Sequence, residues 1–313
     1  MNIPEEYLWK RPCPVCGSER HDVLLQASYP ENILNEEELA RIYRSSSEVK
    51  LMDPLVKCRR CGCRYLSPCL RPERIQEGYT EAVDPVFVSQ NSFRIRTFSR
   101  TLRRLRDTWH LAPGSRILDI GCAGGAFPKA AKDMGFTPTG IEPSRWMCEF
   151  AKKEYAVDVR QGTLEEQDFG DERFDVVTLW DVLEHVATPR QTLERIFNLL
   201  RPGGLLVLTY PDISGWPARL MGRNWPFLLS VHLTYYTPET IRRQVGDTGF
   251  EIKSIRTYWQ TLSLGYALER AAQAAGIFAP LFRGLSKAIK MAHGDSLAFS
   301  YYLSQRLVVA ERP

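Results

Sequence analysis

Downstream of Arg116 the chain alternates short apolar runs with longer stretches whose apolar positions recur every three to four residues. Short runs bounded by turn residues read as buried strands, and the longer stretches as helices with one apolar face. The pattern predicts strands at 116–120, in a run ending at Glu142, and at 157–160, 175–180, 205–210, 250–257 and 303–310. It predicts helices running to Met134 and at 144–154, about 188–200 and 238–248. Strands alternating with helices in this way give an α/β fold, a largely parallel sheet covered on both faces. Two amphipathic segments stand outside the alternation. In one, Phe98, Leu102, Leu105 and Trp109 share a helical face while Arg94, Arg96, Arg100, Arg103, Arg104 and Arg106 crowd the remainder. In the other, 276–291, Ile277, Phe278, Leu281, Phe282, Leu285 and Ile289 are interleaved with Arg283, Lys287 and Lys290. Packing on one face is the default for both. The arginine-rich helix also suits an anionic partner such as a sugar-nucleotide diphosphate, a lipid-linked phosphate or RNA. The later segment also suits a roof over a pocket, a peripheral membrane contact or a homodimer contact.

Length and composition narrow this little. With 313 residues, 44% of them hydrophobic, the chain has room for one large domain and a small one. Its 41 basic and 37 acidic side chains leave a net charge of +4, which argues neither for nor against nucleic acid. Residues 1–12 lack the apolar core of a signal peptide, and no segment nears the roughly eighteen apolar residues that cross a bilayer. The expected compartment is therefore the cytoplasm, where the eight cysteines read as thiols or metal ligands. Cys13-Pro14-Val15-Cys16-Gly17 and Cys58-Arg59-Arg60-Cys61-Gly62 are two C-x-x-C-G knuckles. Cys13, Cys16, Cys58 and Cys61 together make a tetrahedral donor set suited to structural zinc. A helix-forming insertion at 35–44 is expected between them, and Cys63, Cys69, Cys122 and Cys148 are expected to be packing residues.

The run Ile117-Leu118-Asp119-Ile120 breaks at once into Gly121-Cys122-Ala123-Gly124-Gly125. An acid at a strand tip followed by glycines, which let a ligand approach the backbone closely, suits a nucleoside cofactor. The turn alone fits a dinucleotide as well. Three details favour S-adenosylmethionine: Asp119 two residues before the first glycine, the G-x-x-G-G spacing, and a next strand ending Gly140-Ile141-Glu142-Pro143-Ser144. With the stretches 174–186 and 199–208, these motifs resemble the class I S-adenosylmethionine-dependent methyltransferases, over roughly a hundred residues. The knuckles and the following Gly62–Pro68 and Ile75–Tyr79 resemble the group with an N-terminal zinc ribbon that acts on sugars, glycans and secondary metabolites.

The resemblance implies a Rossmann-like seven-stranded methyltransferase sheet with an antiparallel last strand, plus the small zinc-ribbon module. It implies three parts: a zinc module at 1–72, a helical cofactor-covering linker at 73–112, and the methyltransferase domain at 113–313. Within the last lie an acceptor lid at 211–237 and a helical insertion at 261–296. Asp119, Gly121, Cys122, Ala123, Gly124, Gly125 and Phe127 would face the amino-acid part of the cofactor. Glu142, beside Pro143, would accept from both ribose hydroxyls. Gly162, Thr163 and Leu164 would flank the adenine, Trp180 and Asp181 the opposite side, and Tyr79 the methionine end.

Because the sulfonium is already activated, the protein must mainly align the acceptor and remove its proton. His232 and His185 are the candidate bases, with Asp181 and Tyr235 or Tyr236 behind them. Asp181, Glu184 and His185 also resemble the metal site of ubiquinone-pathway O-methyltransferases, with an aspartate where that pattern has a glutamate. The segment 211–225, with Trp216, Arg219, Gly222 and Arg223, reads as an aromatic and cationic lid for a small, anionic acceptor. The expected function is O- or C-methylation of a small biosynthetic acceptor. An RNA methyltransferase with a zinc module, disfavoured by the balanced charge, and a non-catalytic cofactor-binding scaffold are the alternatives. Leu179-Trp180-Asp181-Val182 lacks the Asn/Asp-Pro-Pro-aromatic tetrapeptide of base N-methyltransferases, which disfavours that chemistry.

Overall fold

The structure, a computed structural model, describes residues 5–29, 50–74, 80, 83–274, 279–293 and 297–313. The expected insertion at 35–44 and Tyr79 lie outside these residues. The amino-terminal part contains β1 (Leu8–Trp9), β2 (His21–Leu25), β3 (Leu55–Cys58), β4 (Arg64–Leu66) and β5 (Cys69–Leu70). Helices α1 (Pro85–Ser89) and α2 (Asn91–Trp109) follow. The alternating region begins with β6 (Arg116–Ile120), α3 (Ala126–Asp133), β7 (Thr137–Glu142), α4 (Arg145–Tyr155), β8 (Asp158–Gln161) and β9 (Phe174–Trp180). It continues through α5 (Pro189–Leu199), β10 (Leu200–Pro211), α6 (Trp216–Met221), β11 (Thr234–Tyr235), α7 (Pro238–Gly246) and β12 (Glu251–Thr257). Last come β13 (Gln260–Ser263), α8 (Leu264–Ala274), α9 (Ala279–His293), β14 (Ala298–Tyr301) and β15 (Gln305–Glu311).

Seven strands form the main sheet in the order β12-β15-β10-β9-β6-β7-β8. Only β15 runs against its neighbours β10 and β12, as expected of the last strand. Near-continuous apolar strands such as Phe174–Trp180 require cover on both faces. On one face Leu102, Leu105, Phe127 and Ala130 pack over Ile117, Val176, Leu205 and Val207. On the other, Leu193, Ile196, Ile241 and Val245 pack over Leu118, Val177, Leu206 and Leu208. β10 begins earlier than its apolar pattern suggests. Leu200 already pairs with Phe174, and a register shift precedes the pairing of Leu205.

The expected boundary between the cysteine module and the lid is crossed by a shared sheet. β11, from the lid, pairs antiparallel with β4, giving a second sheet in the order β11-β4-β3-β2. Buried Arg11 donates to the carbonyls of Leu233 and Ala187, and Ser230 Oγ accepts from the amides of Met52 and Asp53. Trp225, Leu228, Val231, Leu233 and Tyr235 share a core with Met52, Leu55, Leu66 and Leu70. Only 216–224 retains the open character expected of a lid: Trp216 is 66% and Leu220 78% exposed. The carboxy-terminal insertion sits on the linker helix, where the amide of Thr261 donates to Thr97 and that of Ser263 to Gln90. No helix among the described residues is long and apolar enough to cross a membrane.

Candidate active site and cysteine cluster

Asp119 ends the buried run of β6 and is 1% exposed. One carboxylate oxygen accepts from Thr178 Oγ1 at 2.6 Å; the other is buried without a partner. Desolvation pushes its pKa well above the usual carboxylate range. A buried acceptor lacking a donor at a strand tip is a place for a ligand's donor.

The glycine turn beside it is tighter than the motif suggests. The amides of Gly121 and Cys122 both donate to the Ile141 carbonyl, that of Gly125 to Cys122, and that of Ala123 to Glu142 Oε2. The glycines therefore serve close packing more than a row of free N–H donors. A Cβ on Gly124 would stand 2.6 Å from Val88 of α1 and one on Gly125 2.7 Å from the Ala151 Cβ. Asn91 Nδ2 also donates to the Gly124 carbonyl, which pins the linker onto the turn.

Glu142, at the tip of β7, accepts from the Ser144 amide and the Ala123 amide, each at 2.9 Å. Each oxygen keeps further acceptor capacity for a diol. Burial pushes its pKa up to about 7, opposed by those two amides. Gly162 donates to the Glu142 carbonyl, so the tip of β8, with Thr163, lies beside it. Pro143 is half-buried between Glu142 and the α4 cap, Ser144.

Of the expected cofactor contacts, Cys122, Phe127 and Leu164 have buried side chains and Trp180 is half-buried against the core. Cys122 Sγ packs on Gly140, and Leu164 is 2% exposed. Phe127 is 1% exposed against Phe98 and Trp180, and Trp180 itself lies among Phe98, Phe127 and Tyr258. Helix geometry turns Phe127 toward the sheet face. Val88, Asn91 and Phe150, which adjoin Gly124, escaped the sequence reading. Phe150 could have been found from its stacking partner Trp146, four residues earlier on α4; no pattern marks Asn91.

On the acceptor side, Asp181 adopts φ 54° and its carboxylate accepts from Thr209 Oγ1 and Gln260 Nε2. Gln260 in turn accepts from Tyr301. Asp181 is thus tied to β10 and β13, and does not join Glu184 and His185 of the next turn. Those two meet His232 instead: one ligand-capable atom from each lies within 4.8 Å of the others. The rings of His185 and His232 meet edge to face at 4.6 Å. Nδ1 of His185 pairs with the Val231 carbonyl and that of His232 with the Phe227 carbonyl. Burial pushes His185 down to about 4 and His232 well below its ordinary value, so both rings are neutral at physiological pH. Tyr235 is a clamp by geometry. Its hydroxyl donates to the Leu229 carbonyl and accepts from the Leu229 amide, and burial pushes its pKa well up. Those bonds leave it poorly placed to take a proton.

The sulfurs of Cys13, Cys16, Cys58 and Cys61 lie within 4.8 Å of one another, with Cys13–Cys61 at 3.4 Å and Cys16–Cys58 at 3.5 Å. A tetrahedron of thiolates bonded to zinc at about 2.3 Å needs roughly 3.8 Å between sulfurs, so the set fits. Gly17 and Gly62 turn at φ 70° and 75°, and their amides close each knuckle onto the first cysteine's carbonyl. Cys63 and Cys69 stand outside the foursome, in the two neighbouring cores.

A model of the methyltransferase-domain family matches residues 91–255. The chain is 30% identical over 173 residues to a ubiquinone biosynthesis O-methyltransferase of Azorhizobium caulinodans, over 51% of this chain and 67% of that one. It is 39% identical over 103 residues to the mitochondrial ubiquinone biosynthesis O-methyltransferase of Schizosaccharomyces pombe, over 31% of this chain and 38% of that one. The chain thus spans less than half the length of the yeast relative. Among solved structures, a methyltransferase–activator complex from Haloferax volcanii superposes with a TM-score of 0.51 at 17% identity, over 74% of this chain and 96% of that one. At that identity the likeness concerns the fold alone.

Proposed function

The chain belongs to the class I S-adenosylmethionine-dependent methyltransferase family, and on that premise we propose that it methylates a hydroxyl oxygen of a small biosynthetic acceptor. The observation that carries the reading is the pair of acids at adjacent strand tips. Glu142 has acceptor capacity for the ribose diol, and Asp119 has an unpartnered oxygen for the amino-acid end. Gly162 and Thr163 would border the adenine. Methyl transfer then needs an acceptor aligned behind the sulfonium and a sink for its proton. The neutral His185, on the turn after β9, and His232, on the loop that also carries Trp216, Arg219 and Arg223, supply that sink. The O-methyltransferase relatives support a hydroxyl acceptor, and the cysteine module supports the sugar, glycan and secondary-metabolite class. Structural zinc at Cys13, Cys16, Cys58 and Cys61, and a cytoplasmic setting, complete the reading.

The test is transfer of a labelled methyl group to a panel of phenols, sugars and RNA, with calorimetry of the cofactor alongside. Glu142→Ala should weaken cofactor binding by about 1–3 kcal/mol; an unchanged affinity would remove the ribose assignment. Label on RNA alone would overturn the small-acceptor reading.

A further inference from the structure

Between α2 and β12 lies a groove of about 410 Å³, whose apolar lining includes Leu307 and Val309 of β15. That volume suits one small molecule. Its charge is one-sided. Arg100 and Arg104 of α2 line it with Lys253 and Arg256 of β12, and among the described residues no acidic side chain does. Lys253 is already paired with Glu251 and Glu311, at 2.8 and 3.2 Å. The three guanidiniums form no hydrogen bond or ion pair among the described residues. The other arginines of the helix are engaged elsewhere: Arg94 on the carbonyl and ring of Phe87, Arg96 over Phe93, Arg103 on the Ser99 carbonyl and Arg106 on Asp107. Unpaired positive charge is therefore gathered in one groove rather than spread around the helix, which suits a compact anion better than a polymer.

The groove also carries aromatic surface. Trp109, at the carboxy-terminal end of α2, and Trp259, 54% exposed just past β12, both line it. The Thr261 amide donates to Thr97, so Trp259 stands at the end nearer the start of α2, with Arg256 and Arg100 next along the groove. From Thr97 to Trp109 the helix rises roughly 18 Å, more than a lone phosphate or carboxylate fills. We propose that this groove binds a nucleoside diphosphate, its base on Trp259 and its phosphates on Arg100, Arg104 and Arg256, at a site separate from that of the methyl donor. A guanidinium pairs in two-pronged fashion with phosphate oxygens, and an indole face carries a base of any kind. Asp119 and Glu142 do not line the groove, and the binding does not depend on the proposed methyl transfer.

Calorimetry and tryptophan fluorescence of the full-length protein with uridine diphosphate, in saturating S-adenosylhomocysteine, test this. The expected result is one nucleotide per chain with quenched emission. Arg104→Gln and Arg256→Gln should each weaken it about tenfold or more, while Arg103→Gln, on the same helix outside the groove, leaves it unchanged. Trp259→Ala should weaken the nucleotide about tenfold without altering the binding of inorganic pyrophosphate. Near-ultraviolet dichroism confirms that each variant is folded. Absent nucleotide binding overturns the proposal, as does an equal loss in Arg103→Gln and Arg104→Gln, which would mark diffuse surface charge. Tighter binding of a short oligouridine overturns it in favour of nucleic acid. Displacement by S-adenosylhomocysteine, or loss in Glu142→Ala, overturns it by placing the nucleotide in the cofactor site. Failure of the methyltransferase reading would appear separately, as no binding of S-adenosylhomocysteine itself.

Discussion

With Glu142 accepting hydrogen bonds from the ribose hydroxyls as proposed, a carboxylate pushed up to about 7 by burial makes cofactor affinity depend on pH. Below that value Glu142 is mostly protonated, so affinity should rise with pH through about 7 and then level, by about tenfold per pH unit on the acid side. The effect on the cofactor-free fold has the opposite sign. A raised carboxyl pKa contributes stability that is full below the ordinary glutamate value and is lost as pH rises through about 7. Calorimetry across that range should show both slopes flattened in Glu142→Gln. Glycines offer a second residue-scale comparison. Gly125→Ala meets the Ala151 Cβ at 2.7 Å with φ at +77°, whereas Gly114, at φ +80°, has nothing within 4 Å. Strain alone should cost Gly114→Ala about 1 kcal/mol, and strain with overpacking should cost Gly125→Ala about 2–4 kcal/mol, by denaturant unfolding. Asp119 and Glu142 were legible because a strand tip announces itself in the pattern. Glu184 was legible through the resemblance of 181–185 to a metal site, whereas His232 reaches it through a loop contact that no local spacing encodes.

The elements of the alternating region fall within a few residues of the periodic pattern, because each is long enough for burial to repeat. The two-residue β11 carries no such signal. Its place is set by residues far away in sequence, as in the bond of Arg11 to Leu233 across 222 positions. The cysteine module is therefore a support for the loop 225–235. Cys61→Ser, or chelation of the proposed zinc, should raise hydrogen exchange in 225–235 while exchange in β6 and β7 stays slow. Equal loosening of both regions would show that the module supports the whole fold instead. Ser230→Ala removes the acceptor for the amides of Met52 and Asp53, and should lower stability by about 1–3 kcal/mol in thermal or denaturant unfolding.

Across the molecule, the core is continuous from the knuckles to the main sheet: Cys13, Val15, Cys58 and Tyr65 belong to the same apolar cluster as Leu183, Leu208 and Tyr236. Two segments that sequence reading kept apart, 1–72 and 211–237, form one body there. Elemental analysis should find about one zinc per chain, by the four-ligand rule. The placement of β15 bears on synthesis. It fills the slot between β10 and β12, and among the described residues β12 has no other partner in the sheet. A ribosome releasing this chain in order exposes the apolar edge of β10 until residues 305–311 emerge. Until then the nascent chain is a substrate for chaperones, and the sheet stays open between β10 and β12 after its other strands have been made.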